Sequence, residues 1–334
     1  MKEKVKQLPL LPGVYLMKNK EGSVIYVGKA KKLKNRVSTY FHKNQQHSKK
    51  VRRLIHHIDD FDFVVVDTEL DALLLECQLI QYYRPFYNRQ MNYFSNYNYL
   101  HISDEGFSLS DVPLAHTYGS FRLYKKMPII LRIIEETYQM PWLSEISRLA
   151  LQTQLPEVAQ LSYLQKKKEI QGLLQGRNKK LLTYQKLRQD HFIQQLNFEK
   201  AAVLQREIEL TSSFIQKIKE QKKFLRTPEI SFSLPLAIDD TRRKHYLICY
   251  GQLADTVITK ADEAPHFYYE KGEKTLALKR QLSKDEIDPV LILMSYYRRI
   301  QRETSLESKN REELLKRMVR NLLYFLSLTI LIEI

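Results

Sequence analysis

Residues 177–227 contain neither glycine nor proline and are rich in Lys, Gln, Glu and Leu. Because helix-breaking residues are missing, this composition predicts a long helical element. Apolar and small residues recur within it every three or four positions, at Phe198, Ala201, Leu204, Ile208, Thr211, Ile215 and Ile218. Such a stripe needs a partner helix to cover it. We expect Asn197 to interrupt the element and to fold it into a helical hairpin.

The first ninety residues instead alternate between short strand and helix patterns. The predicted elements are, in order, strands over 14–17 and 23–27, helices over 31–41 and 48–58, a strand over 61–66, and a helix from 68 to 82 or 83. Thr68 is the expected N-cap of the last helix, with Asp71 as its capping-box partner, and Pro85 discourages continuation. These patterns predict the α/β (α+β) class, with a small mixed α/β domain built on an antiparallel sheet.

The sequence predicts four segments. A domain over residues 1–92 is followed by a connecting region over 93–163, which includes a helix near 128–139. The helical hairpin occupies 164–226, and a C-terminal α/β domain, whose fold the sequence does not define, occupies 227–334. Within this last segment we expect a hairpin or meander over 236–258 and mainly helix over 285–331.

Positive charge is concentrated at the N-terminus. The chain has 54 Lys and Arg against 38 Asp and Glu, a net charge of +16. Residues 1–58 contain 15 of the basic residues but only two of the acidic ones, Glu3 and Glu21. A patch of this kind favours a phosphate backbone as its target, with an anionic membrane as the alternative.

Several classes of protein and site are excluded by the composition. Among the nine glycines no two are separated by a single residue, so the G-x-G of dinucleotide-binding and kinase loops is missing. Cys77 and Cys249 are too few for a disulfide framework, a zinc site or an iron–sulfur cluster. The apolar tail over 322–334 is too short to span a bilayer, and the N-terminus does not resemble a signal peptide. We therefore expect a cytoplasmic protein that does not bind membranes.

Two tyrosine motifs stand ten residues apart. Gly13-Val14-Tyr15 precedes Tyr26-Val27-Gly28-Lys29, and Arg36, Glu76 and Asn88 follow. On paired strands the two phenols converge, and the charge of Lys29 is expected to lower their pKa so that one of them can act as a base. Gly28 allows close approach of a phosphate, which Arg36 would hold.

These residues resemble the GIY-YIG nuclease domain, and more narrowly the N-terminal half of the bacterial excinuclease UvrC and its short homologue Cho. The resemblance lies in LPGVYLMKNKEGSVIYVGKAKKLKNRVSTYF and TELDALLLECQLIQYYRPFYN, and it covers residues 8–88. It implies hydrolysis of a DNA phosphodiester with one Mg²⁺ or Mn²⁺ ion, bound by Glu76. The implied general base is Tyr15, with Tyr26 as the alternative.

Glu76 and Asn88 each allow two interpretations from the residues alone. Leu73 and Ile80 flank Glu76 on its helix face, where a carboxylate is costly unless it is paired or metal-bound. The alternative is an exposed Glu at the margin of the apolar stripe. Asn88 either donates to the scissile phosphate or the water around the metal, or is a turn residue after Pro85. The other candidates for DNA contact are Gly28, Lys31, Lys32, Lys34, Tyr40, Lys49, Lys50, Arg52 and Arg53.

The segment that begins at Gln195 resembles the UVR motif. In UvrC this hairpin pairs with UvrB, the DNA-loading helicase of the same system, so the resemblance implies a UvrB-like partner. The candidate contact residues are Phe198, Glu199, Ala201, Ala202 and Arg206. A hairpin that packs only on its own chain is the alternative. The cysteine cluster of the family, a presumed iron–sulfur site, has no counterpart here, and no such cluster is expected.

Three functions fit the sequence. The first is an endonuclease that is recruited to damaged double-stranded DNA on the bacterial nucleoid and makes a single incision in nucleotide excision repair. The second is an inactive adaptor that binds DNA and UvrB without cutting. The third is a free-standing GIY-YIG nuclease that recognises DNA structure.

Overall fold

The structure is a computed structural model that describes residues 2–42, 47–88, 98–121, 125–268, 282–306 and 313. It confirms the mixed α/β class with antiparallel sheets. The described residues contain three three-stranded sheets, each followed along the chain by one or more helices.

The N-terminal part contains one sheet with helices on both faces. Its strands are β1 (Gly13–Lys18), β2 (Val24–Ala30) and β3 (Asp60–Val65), in the order β2-β1-β3 and all antiparallel. Its helices are α1 (Lys2–Lys6), α2 (Leu33–Phe41), α3 (Lys49–His57) and α4 (Glu69–Tyr83). The predicted hairpin is confirmed, and its turn uses Gly22 at φ 76°.

Alternation along β1 determines which side chains face which helices. Val14 and Leu16 pack with Ala72 and Ile80 of α4, whereas Tyr15 joins the core under α2 and α3. The predicted start of α4 is also confirmed, because the Thr68 hydroxyl accepts from the Asp71 backbone and the Asp71 carboxylate accepts from Thr68 N–H. The two layers are thus fixed on opposite faces of one small sheet.

The middle of the chain is a second sheet followed by helices. Strands β4 (Asn98–Ile102), β5 (Phe107–Ser110) and β6 (Thr117–Phe121) have the order β5-β4-β6. The helices that follow are α5 (Met127–Thr137), α6 (Glu145–Gln154), α7 (Pro156–Ala159), α8 (Tyr163–Leu174), α9 (Lys180–Gln194) and α10 (Phe198–Arg226). The predicted break is confirmed, since Asn197 caps α10 by accepting from Lys200 N–H at 3.2 Å.

The C-terminal part is a meander and a helix. Strands β7 (Ile230–Pro235), β8 (Arg242–Cys249) and β9 (Gln252–Lys260) pair in chain order, which confirms the predicted meander. Residues 284–306 form helix α11. The rest of the predicted helical segment, apart from residue 313, and the apolar tail over 322–334 lie outside the described residues. Leu70 of α4 is buried in the same apolar cluster as Tyr246 and Ile287, so the C-terminal part packs on the N-terminal part.

Within the ranges that the structure covers, no helix combines the length and the apolar character needed to cross a membrane.

Candidate active site

The outer edge of β2 brings two predicted site residues together. Because β2 lies at the margin of its sheet, its outward backbone groups need partners from elsewhere in the chain. Val27 N–H donates to Asn88 Oδ1 at 2.8 Å, and Asn88 Nδ2 donates to the Val27 carbonyl at 2.7 Å. Two residues further along the edge, Lys29 N–H donates to Glu76 Oε1 at 3.0 Å. The strand edge therefore places Glu76 and Asn88 side by side.

Three tyrosines form a cluster beside this edge. Tyr15 on β1 is opposite Gly28 on β2, with Tyr26 two residues before Gly28. Tyr40 lies on α2, and its hydroxyl is 2.9 Å from the Tyr15 hydroxyl. The three ring centroids are 5.9 to 6.4 Å apart. The structure thus places Tyr40, which the sequence assigned to DNA contact, within the tyrosine cluster.

Gly28 has a steric reason to be glycine. A Cβ at this position would lie 2.5 Å from both Cζ and Oη of Tyr15, far inside van der Waals contact. The Tyr15 ring therefore occupies the space beside the Gly28 Cα. The role of Gly28 in phosphate approach stays a prediction.

The charges around the cluster differ from the expected arrangement. Burial raises the pKa of Tyr15 and Tyr26 above the ordinary tyrosine value, and neighbouring phenols raise it further. Lys29, which we expected to lower these pKa values, is paired through Nζ with Glu69 Oε1 at 3.0 Å, and the pKa of both tyrosines is raised. Arg36 is the cation that opposes the shift in both tyrosines, and its guanidinium lies 5.5 Å from the Tyr40 ring centroid.

Glu76 is half-buried, so the interpretation as a freely exposed Glu does not hold. Burial raises its pKa, while the Lys29 N–H and the charges of Lys29 and Arg36 oppose this shift. In the part of the chain that the structure describes, no group of three or more His, Cys, Asp or Glu could hold a metal ion. A single carboxylate fits Mg²⁺, which retains several waters and completes its shell with substrate oxygens. Glu76 is thus the residue of this cluster that could hold such an ion.

Glu69 is the site residue that the sequence analysis missed. It begins α4 two turns before Glu76, and its carboxylate binds Lys29 Nζ and Lys31 Nζ, each at 3.0 Å. The spacing of seven residues, which puts Glu69 on the same helix face as Glu76, is the signal that could have revealed it.

The predicted DNA-contact residues form two groups. Lys31, Lys32 and Lys34 surround the start of α2, and the first two are exposed. Lys49, Arg52 and Arg53 of α3 line a surface groove with His56 and His57, while Lys50 on the same helix is half-buried. Both groups lie on or next to α2 and α3, the helices on the Tyr15 side of the sheet, and Lys31 Nζ is paired with Glu69 of α4.

The predicted partner-contact residues lie at one end of the α9–α10 hairpin. Phe198 is 62% exposed, and Glu199, Ala202 and Arg206 are also exposed. Ala201 is instead buried with Phe192 and Leu204 inside the hairpin. It therefore packs between the two helices and is not on the free surface.

Known proteins match this region. Residues 11–89 match the family described as the UvrC-like GIY-YIG domain, over a range that includes the tyrosine strands, Glu76 and Asn88. The chain contains a UvrC-like GIY-YIG domain. The resemblance of the N-terminal motifs to the GIY-YIG domain of UvrC is thereby confirmed.

Curated relatives of this chain are named UvrABC system protein C. The one from Caldanaerobacter subterraneus subsp. tengcongensis is 52% identical over 103 residues, which are 31% of this chain and 17% of the relative. The one from Clostridium botulinum (strain Hall) is 32% identical over 247 residues, 66% of this chain and 39% of the relative. The one from Methanococcus maripaludis is 28% identical over 283 residues, 80% of this chain and 53% of the relative. The chain thus spans at most about half the length of these relatives.

Solved structures of GIY-YIG domains are also similar. The GIY-YIG N-terminal endonuclease domain of UvrC from Thermotoga maritima, bound to its catalytic divalent cation, magnesium, is 42% identical with a TM-score of 0.24. The match covers 26% of this chain and 94% of that one. A tyrosine-to-phenylalanine variant of the same domain, also with its catalytic divalent cation, is 43% identical with a TM-score of 0.25 and covers 27% of this chain and 94% of that one.

Proposed function

We propose that this protein is a metal-dependent DNA endonuclease of the UvrC type, which makes a single incision beside a lesion in nucleotide excision repair. The observation that carries the proposal is the placement of Glu76. Its half-buried carboxylate is held by the Lys29 backbone N–H, and its charge raises the pKa of Tyr26. A carboxylate, a phenol and the Arg36 guanidinium in one cluster are the groups that phosphodiester hydrolysis needs. The UvrABC system protein C relatives support the repair context.

We propose that Glu76 binds one Mg²⁺, with Mn²⁺ as a substitute, the class of ion named for the Thermotoga maritima domain. Such an ion supplies Lewis-acid polarisation of the phosphate and a lower pKa for its bound water. Arg36 stabilises the negative charge that develops on the phosphate. Asn88 holds the edge of β2 on which Glu76 depends, through its two hydrogen bonds to Val27.

Tyr26 is the better candidate for the general base. Tyr15 is fully buried, and its hydroxyl is already paired with that of Tyr40, whereas Tyr26 is half-buried. Glu76 is among the groups that raise the pKa of Tyr26, which places its carboxylate close to that phenol. We propose that Tyr26 acts as a phenolate, whose own proton is first lost to solvent with the help of the Arg36 charge, and that this phenolate accepts the proton of the attacking water. Tyr40 and Tyr15 form the hydrogen-bonded group behind it. This choice reverses the preference for Tyr15 stated from the sequence.

The proposed substrate is damaged double-stranded DNA in the bacterial cytoplasm, bound through the cations of α2 and α3. Their side chains are suited to phosphates and carry no base-reading pattern. We therefore propose that damage recognition belongs to a UvrB-like partner. The four sequence segments, 1–92, 93–163, 164–226 and 227–334, are proposed as incision, connecting, partner-binding and C-terminal units.

Exposed apolar side chains support the partner-binding proposal. Ile193, Leu196 and Phe198 are clustered in sequence around the tip of the α9–α10 hairpin, and all three are exposed. Phe198→Asp should abolish capture of UvrB, whereas Phe192→Asp should unfold the tip because Phe192 is buried. Unchanged capture by a folded Phe198→Asp protein would exclude this end of the hairpin as the contact.

An incision assay tests the proposed function. A duplex with one bulky lesion is preloaded with UvrB and mixed with wild type or Glu76→Gln in Mg²⁺. A single lesion-dependent nick, lost in Glu76→Gln and with EDTA, is the expected result. If neither protein cuts while DNA and UvrB binding persist, the protein is an adaptor. Cutting that is independent of both lesion and UvrB would instead support a free-standing nuclease.

A further inference from the structure

A third cation reaches the Glu69 carboxylate from the other end of the chain. Arg299 lies on α11, and its Nη2 is 3.1 Å from Glu69 Oε2, the same oxygen that binds Lys31 Nζ at 3.0 Å. Glu69 Oε1 binds Lys29 Nζ at 3.0 Å. Two lysines of the GIY-YIG domain and one arginine of the C-terminal part therefore converge on one carboxylate.

Several contacts hold Arg299 in this place. Its guanidinium lies 4.1 Å from the centroid of the Tyr296 ring, a cation–π arrangement that orients the planar group. At the start of α11, Asp285 accepts from Arg84 through its carboxylate, at 2.5 Å, and from Gln81 through its backbone carbonyl, at 3.0 Å. Gln81 lies in the last turn of α4 and Arg84 is its C-cap residue, so α11 is docked along the helix that carries Glu69 and Glu76.

The group formed by Lys29, Lys31, Arg299 and Glu69 has an excess of positive charge. Three cations share one carboxylate, and Glu303 lies 3.9 Å from Arg299 Nε at the margin, on an exposed side chain. Glu69 is only 14% exposed, whereas Lys29, Lys31 and Arg299 are 31%, 67% and 42% exposed. The carboxylate thus forms the base of the group and the cations face outward, which is the arrangement expected for binding an anion.

Lys29 connects this group to the proposed incision site. The Lys29 backbone N–H donates to the Glu76 carboxylate, and the Lys29 side chain is one of the three cations around Glu69 (the cation group). The Glu76 carboxylate and the cation group are therefore separated by the length of one lysine side chain. Phosphates follow one another at about 3.4 Å along the axis on each DNA strand. A backbone whose scissile phosphate lies at Glu76 therefore brings a neighbouring phosphate to the cation group.

We propose that Lys29, Lys31 and Arg299 form a binding site for a DNA backbone phosphate next to the scissile one. The C-terminal part thereby completes the DNA surface of the GIY-YIG domain. The inference rests on the proposed function for the location of the scissile phosphate, but the site itself is tested by binding alone.

The test measures DNA binding against salt in the full chain carrying Glu76→Gln, so that no DNA is cut. Arg299→Gln in this background should reduce the slope of log K against log salt by about one, the loss of one phosphate contact. Arg299→Lys keeps the charge and should keep the slope. The matched control is Arg298→Gln on the same helix, because Arg298 pairs with Glu220 of α10 and not with Glu69. Thermal unfolding of each variant confirms that it is folded.

Each outcome decides the proposal. An equal slope for Arg299→Gln and Arg298→Gln, or a loss of slope in Arg299→Lys, would overturn it, as would absence of DNA binding by the parent. If the slopes change as expected but wild type makes no nick in the incision assay, the phosphate site stands and the proposed nuclease function fails.

Discussion

At the level of single residues, close packing explains the positions of the clustered tyrosines better than charge does. Gly28 is necessary because Tyr15 fills the space where a Cβ would be. The Tyr15 hydroxyl is in turn hydrogen-bonded to that of Tyr40, so a larger residue at position 28 would displace the whole tyrosine cluster.

Gly28→Ala should therefore damage both folding and activity. The added methyl group overlaps the Tyr15 ring, and overpacking of this kind costs about 1–3 kcal/mol. We expect incision to fall by about a hundredfold, because displacement by about 1 Å can have this effect. Chemical denaturation and single-turnover incision measure the two effects.

Gly22→Ala is the matched control. Gly22 has φ 76° in the hairpin turn, and a methyl group added there would have no atom within 4 Å, so alanine adds only backbone strain. That strain is about 1–2 kcal/mol. The variant should lose stability but retain incision. Similar activity loss in both variants would show that the tyrosine packing is not the cause.

The charge on Glu69 predicts a dependence of stability on pH. Burial alone would raise the pKa of Glu69, but hydrogen bonds from Lys29 and Lys31 and the charges of Lys29 and Arg299 lower it to about 2, from 4.5. A lowered carboxyl pKa contributes stability that is fully present above about pH 4.5 and is lost as the pH falls toward 2. The difference in unfolding free energy between wild type and Glu69→Gln should shrink over this interval. A constant difference in urea titrations would contradict the ion-pair assignment.

At the level of elements, the edge of β2 organises the site. Backbone groups along this edge are satisfied by the side chains of Glu76 and Asn88. A third contact is made by the backbone of Tyr87, whose N–H donates to the Ile25 carbonyl at 3.0 Å. The segment after α4 thus takes the place of a fourth strand. The site residues depend on this pairing, since the same strand edge positions both Glu76 and Asn88.

Asn88→Ala should weaken this edge. Both backbone groups of Val27 lose their partner, and unsatisfied buried groups cost about 1–3 kcal/mol each. Incision should fall more than DNA affinity, because the change acts on the position of Glu76. Asn35→Ala, at an exposed position of α2, should change stability by less than about 0.5 kcal/mol. Equal effects of the two substitutions on unfolding and incision would argue against the edge contact.

Local signals allowed most elements and part of the site to be predicted. Turn residues identified the β1–β2 hairpin, Thr68 and Asp71 identified the start of α4, and Asn197 identified the hairpin break. The partners of Lys29 and Tyr40 were not predictable, because they depend on how α2 and α4 pack against the sheet. No local pattern records such contacts between distant residues.

At the level of the whole molecule, the C-terminal part is joined to the GIY-YIG domain at α4. Lys244 of β8 binds Asp67 at 2.8 Å and Asp71 at 3.1 Å. The Tyr246 hydroxyl lies 2.6 Å from Thr68 Oγ1 and donates to Asp71 Oδ1 at 3.0 Å. These contacts lie at the first turn of the helix that carries Glu76, so the C-terminal part supports the start of that helix.

Tyr246→Phe should test this connection. The variant keeps the ring, which stacks on Phe232 at 5.3 Å, but removes the hydroxyl from the Thr68 cap. We expect a loss of about 1–3 kcal/mol in the free energy of unfolding, with incision reduced by less than in Asn88→Ala. Unchanged stability would show that the hydroxyl contributes nothing to the contact.

The Glu76 carboxylate is proposed to hold the ion on which incision depends. The most direct measurement is the single-turnover incision rate against Mg²⁺ concentration for wild type, Glu76→Asp and Glu76→Gln. We predict that Glu76→Gln does not cut at any Mg²⁺ concentration, and that Glu76→Asp cuts but needs more Mg²⁺ because its carboxylate is one methylene shorter. Incision by Glu76→Gln with the rate and Mg²⁺ dependence of wild type would contradict the account.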